Sequence, residues 1–166
     1  MGRYNNKEFL NICEDILDLR EFNKLKSINH HGITRYNHSL RVAYYTYLIT
    51  KKLHLNYIEA TRAALLHDFF TDEVEDENSL KKLQKHPFCA LENAKKYFDI
   101  SYLEEDIIVT HMFPVTFRPP KYIESWIVDI VDDGAAIYEK AFTTRKELNA
   151  ATTFLFLVVI NFFKMY

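Results

Sequence analysis

An all-α fold, a helical bundle, is what this chain predicts. Only three glycines and four prolines interrupt its 166 residues, and no run alternates polar and apolar residues over a strand's length. Where apolar residues recur, they do so at intervals of three and four. The length suits one domain, expected over residues 1–166, and 48% apolar against 27% charged residues is a soluble, globular composition.

The first helix is expected over residues 6–23, with Phe9, Ile12, Ile16 and Leu19 on one face. SINHHGITRYN at 27–37 breaks the pattern around Gly32 and reads as a loop, in which His31 is a candidate substrate-binding residue. A helix over 37–53 carries His38, Val42, Tyr45 and Ile49 at offsets of 0, 4, 7 and 11, which sets the histidine on an apolar stripe. The next, from about residue 57, is apolar on most sides from 60 to 66 and ends in His67 and Asp68, so it should lie at the centre of the bundle.

TDEVEDEN at 71–78 reads as a solvated acidic loop, because the spacing and glycine of a calcium loop are missing. His86-Pro87 resembles a helix opening with proline in its first turn, continued inward by Phe88, Leu91, Ala94 and Tyr97. Ser101 and Glu104 match a capping box for a helix over 101–112, on which Leu103, Ile107 and Ile108 share a face with His111. Pro114, Pro119 and Pro120 then enforce an extended crossing. In the helix expected over 122–140, Ile123, Ile127, Ile130 and Ile137 form the inward stripe. There Asp129 falls mid-way along the polar face, while Asp132 and Asp133 border the apolar face on opposite edges, and periodicity does not choose between those two.

A formal charge of −2 gives no electrostatic ground for a nucleic-acid partner. Cys13 and Cys89 form no CxxC pair and the opening MGRYNNKEF is unlike a signal peptide, so a cytoplasmic setting is the default expectation. The apolar run at 154–163 is half of the ~20 residues a spanning helix needs. No membrane partner is expected; the run suits a core helix or the contact of a homodimer.

His67 and Asp68, adjacent at the end of a buried run, are costly to bury unless compensated, and a divalent cation is the usual compensation. Histidines and aspartates gathered from separate helices are how metal sites are assembled in bundle cores. The set here is His38, His67, Asp68, His86, His111 and one of the distal aspartates. Iron, manganese, nickel and zinc all accept such mixed imidazole and carboxylate ligands.

The blocks NHSLRVA, RAALLHD, HPFCALENA, IIVTHMFP and SWIVDIVDD, in that order between residues 28 and 139, resemble the HD-domain superfamily of metal-dependent phosphohydrolases. Within it they look like a branch of small bacterial proteins. That family is defined by a histidine, an adjacent His-Asp and a distal aspartate on an all-helical fold. The matching positions are His38, His67-Asp68 and, by alignment of WIV with its relatives, Asp132. The resemblance also implies that His86 and His111 hold a second ion and that Asp68 bridges the two, so the implied cofactor is one or two divalent ions. Phe69-Phe70-Thr71 stand where many two-metal relatives have Gly-Lys, and HMFPVTF replaces the glycine-rich block of cyclic-dinucleotide phosphodiesterases. Both departures argue against a cyclic dinucleotide as substrate.

The implied function is hydrolysis of a phosphate ester, a nucleotide or another small phosphorylated metabolite, as monoester or diester, with Asp68 as the catalytic residue that orients water. Arg62, one and a half turns before the pair, is the candidate for the phosphoryl charge, with Arg35 and Arg118 as others. The alternative is a non-hydrolytic nucleotide-binding or regulatory module that retains the metal site. A purely structural metal is the third possibility.

Overall fold

Polar caps decide where the helices of this computed structural model begin. It describes residues 4–30, 32–71 and 79–164, and their side chains except at 30, 79 and 147–164. Helix α1 (Lys7–Asp18) starts behind Asn6, whose side chain accepts the Phe9 N–H at 3.1 Å. After a break at the extended residue Leu19 comes α2 (Arg20–Asn23), so the first expected helix is divided. Asn23 stabilises the break, donating Nδ2–H to the carbonyls of Leu17 and Leu19.

A 3-10 turn, Lys24–Ser27, leads to a ribbon of β1 (Asn29–His30) and β2 (Ile33–Thr34), the only sheet among the described residues of an all-α protein. Gly32 turns the ribbon at φ 84°, and a Cβ there would lie 2.2 Å from Thr143 Oγ1. Positive φ and close approach both require glycine at that position.

Helix α3 (Arg35–Lys52) is capped by Thr34, and α4 (Tyr57–Leu66) by Asn56. Helix α5 (Ser79–Tyr97) is followed by α6 (Tyr102–Thr110), where both halves of the expected Ser101–Glu104 capping box are present. Last comes α7 (Ile123–Lys164). Helix α4 touches α1, α3, α5, α6 and α7, which accounts for its being apolar on most sides: Ala60, Ala63, Ala64, Leu65 and Leu66 are fully buried.

Three expectations about faces are corrected. On α3, His38 and Val42 are buried as expected, but Tyr45 and Ile49 are exposed, and Ser39, Thr46 and Thr50 take the inward positions. Pro87 lies inside α5 and not at its start, so His86 sits mid-helix; Ala90, Leu91 and Ala94 point inward while Phe88 and Tyr97 are exposed. The proline forgoes a bond to the carbonyl of Leu83, which the helix tolerates because residues 81–83 face solvent.

The largest correction concerns α7. Ile123, Ile130 and Ile137 are 57%, 65% and 71% exposed, and the inward face carries Glu124, Ser125, Val128, Asp129, Asp132, Ala135 and Glu139. Polar groups outweigh the apolar stripe here because the bundle supplies their partners. Glu124 accepts the Asn56 N–H, Ser125 donates to Asp106, and Asp132 and Glu139 meet His38. Asp129 is therefore buried too, and burial, with Asp133 beside it, pushes its carboxyl up to about 7.

Among the described residues no helix is long and apolar enough to cross a membrane. His31, the acidic stretch at 72–78 and the side chains of the apolar run at 154–163, with its expected homodimer contact, lie outside what is described.

Candidate metal centre

Two helix ends aim imidazoles at one point. His67 is the C-cap of α4, and donates Nδ1–H to the Ala64 carbonyl at 2.7 Å. His111 is the C-cap of α6 and does the same to the Ile108 carbonyl, also at 2.7 Å. A carbonyl only accepts, so each ring is held with Nε2 turned away from its own helix and free of the Nδ1 bond. His67 Nε2 is buried without a hydrogen-bond partner, 3.5 Å from Asp132 Oδ1. The Nε2 of His111 lies 3.0 Å from that of His86, which projects inward from the middle of α5.

Helix α3 contributes His38, whose Nε2 lies 2.7 Å from Asp132 Oδ1 on α7 and whose Nδ1 lies 2.9 Å from Glu139 Oε2. Asp68 stands between the two histidine groups. Its Oδ1 faces His86 at 3.5 Å and His111 at 4.0 Å, and its Oδ2 faces His67 at 3.9 Å. Asp133 is exposed, so the structure separates the two aspartates that periodicity left equal.

Three overlapping triads have ligand atoms within 4.8 Å of one another: His38, His67 and Asp68; His67, His111 and Asp132; Asp68, His86 and His111. All six residues are buried. Nitrogen and oxygen ligands sharing one ion lie about 3 Å apart, so these spacings and the unpartnered His67 Nε2 fit a divalent cation. The donor set fits as well, being imidazole and carboxylate alone.

Electrostatics divides the cluster in two. Burial pushes His86 down and, with His67 and His86 beside it, His111 down to about 3, so both are neutral donors at ordinary pH. Burial acts the same way on His38, but its hydrogen bonds to Asp132 and Glu139 prevail and push it up to about 10. His67 is likewise raised against its burial, by Asp132 and Asp68. Asp132 is held well below the usual carboxylate range, its own burial being outweighed by His67 and His38.

Of the candidate arginines, Arg62 is not brought to the cluster. It grips Asp15 with two bonds of 2.7 and 2.8 Å and donates to the Ile12 carbonyl. Five residues turn a helix by about 140°, so on α4 Arg62 faces α1 when His67 faces the cluster. Arg118 lines a separate hollow with Glu105 and Lys121. Arg35 does reach the site: its guanidinium stacks 3.7 Å over the Phe70 ring, donates to the Phe70 carbonyl at 2.7 Å, and brings Nε to 3.9 Å from Asp68 Oδ2.

Glu139 escaped the sequence reading. Its signal was available: it follows Asp132 by seven residues, two turns of helix, and so shares the face of that residue.

An all-helical fold thus gathers histidines and aspartates from five helices or their ends into one buried cluster that could hold a metal ion. The HD domain family model matches residues 35–137, and the chain belongs to that family. Comparison with curated proteins and with solved structures returns no match.

Proposed function

We propose that the protein is a metal-dependent phosphohydrolase acting on a phosphate ester of a nucleotide or another small phosphorylated metabolite. The observation that carries this reading is the position of Asp68, one oxygen turned to His86 and His111 and the other to His67 and Arg35. One or two divalent ions would be held by His38, His67, Asp68 and Asp132 on one side and by Asp68, His86 and His111 on the other. Asp68 would belong to both sets. Iron, manganese, nickel and zinc each suit the set.

Such a cation, when bound, lowers the pKa of a coordinated water toward ~7 and polarises the phosphoryl oxygens. The chain supplies the rest. Asp68 orients the water. His111, neutral with its hydrogen on Nδ1, offers the Nε2 lone pair directly, and His86, also neutral, needs only to move its hydrogen from Nε2 to Nδ1 to do the same. Arg35 answers the charge that develops on the phosphoryl group, in place of the lysine that many two-metal members of the family carry after the His-Asp pair. Phe70 makes this feasible: its ring and carbonyl fix the guanidinium beside Asp68. Arg62, tied to Asp15, has no part in it.

The test is turnover. Protein loaded with Mn2+ is offered phosphomonoesters, nucleotides and phosphodiesters. Hydrolysis lost in Asp68→Ala supports the proposal. No turnover with any metal, or undiminished turnover in that variant, overturns it; nucleotide binding by calorimetry without hydrolysis would identify a regulatory module instead.

A further inference from the structure

We infer that Glu139 is a positioning residue for the metal centre, fixing the His38 ring and thereby setting how tightly the His38 side of the cluster holds a divalent cation. This rests on the metal-binding reading above.

The three histidines whose Nδ1 partners are known solve one problem in two ways. His67 and His111, at helix ends, each find a main-chain carbonyl three residues back. His38 lies in the first turns of α3, where carbonyls accept helix N–H groups, and its Nδ1 instead meets the side chain of Glu139 at 2.9 Å. A carboxylate only accepts, so both ring nitrogens carry hydrogen in the metal-free cluster; a cation would take the place of the hydrogen on Nε2, the atom facing the cluster, while Glu139 keeps the one on Nδ1.

Helix α7 thus grips both nitrogens of one ring from a single face, Asp132 on Nε2 and Glu139 on Nδ1. The Glu139 carboxylate is wholly enclosed, and its other oxygen is paired with Arg41. An enclosed carboxylate with both oxygens engaged is held in place, and a charged acceptor makes the imidazole a more basic ligand than a carbonyl does. Residues in this position govern metal affinity in other histidine sites by about 10- to 100-fold.

The experiment is calorimetric titration of the metal-free protein with Mn2+, for wild type, Glu139→Gln and Glu124→Gln. Glu124 is the control, a buried carboxylate on the same helix that accepts the Asn56 N–H and has no bond to His38. The expected result is a loss of affinity of about 10- to 100-fold in Glu139→Gln and less than about twofold in Glu124→Gln, whatever either does to melting temperature. Glu139→Asp, which withdraws the carboxylate by one methylene, gives the same loss and serves if the amide variant does not fold. Wild-type affinity in Glu139→Gln or in Glu139→Asp overturns the inference alone. A wild-type protein that binds no metal overturns it together with the reading on which it rests.

Discussion

His67 and His111 are held alike: each caps the C-terminus of its helix, and each donates Nδ1–H at 2.7 Å to the carbonyl three residues before it. The bundle thereby converts two helix ends into two ligand atoms whose direction is set by backbone. It also encloses ionisable groups that are only partly compensated without a cation, His67 Nε2 among them. Metal should therefore stabilise the fold. At a hundredfold excess over Kd, binding adds about 2.7 kcal/mol, a rise in Tm of about 5–10 °C for a chain of this size. Thermal melts with Mn2+ and with chelator check this, and His111→Ala should abolish most of the difference.

Arg35 is placed to act on substrate and not on the ion. Arg35→Gln should lower kcat by about 100-fold while the metal content stays unchanged. Arg35→Lys should recover only part, because the ammonium neither stacks on Phe70 nor keeps the planar bond to its carbonyl. Steady-state kinetics beside metal analysis separates the two effects.

Arg62 belongs to stability. Its hydrogen bonds hold the Asp15 carboxyl below its ordinary value. A carboxyl lowered on folding contributes stability that is present above its unfolded pKa, about 3.9, and lost as pH falls through the lower folded value. Arg62→Ala should thus cost about 1–2 kcal/mol at neutral pH, the half-exposed ion pair giving under about 1 and the freed Ile12 carbonyl and Glu104 carboxylate the rest. The gap between variant and wild type should narrow as pH drops below about 4. Urea denaturation at several pH values measures it, with turnover per folded molecule unchanged.

Gly32 joins the ribbon to α7. Gly32→Ala meets both the positive φ and Thr143, and should destabilise by about 1–3 kcal/mol from the backbone alone. Chemical denaturation reads the loss.

Much of the fold was legible because local signals were strong. The Ser101–Glu104 capping box is present as expected, and the apolar run at 60–66 foretold the most surrounded helix. The cluster was legible where histidines sat beside apolar neighbours, as His38, His67 and His111 do. It was not legible on α7, since periodicity assigns apolar residues inward and cannot know that His38, Arg41 and Asn56 wait to pair with acids. The family resemblance, not the spacing, pointed to Asp132. Pro87 misled for a related reason: its lost hydrogen bond falls in an exposed turn, so the helix runs through it. Arg62 is close to His67 along the chain, but its direction around the helix makes Asp15 its partner.

The most direct measurement is the metal content of the folded protein after loading with Mn2+ and desalting, compared with that of Asp68→Ala. One or two equivalents should remain with the wild type and almost none with the variant, both showing the same helical circular dichroism. A folded wild type that retains no metal, or a variant that retains as much, would contradict a buried centre organised around Asp68.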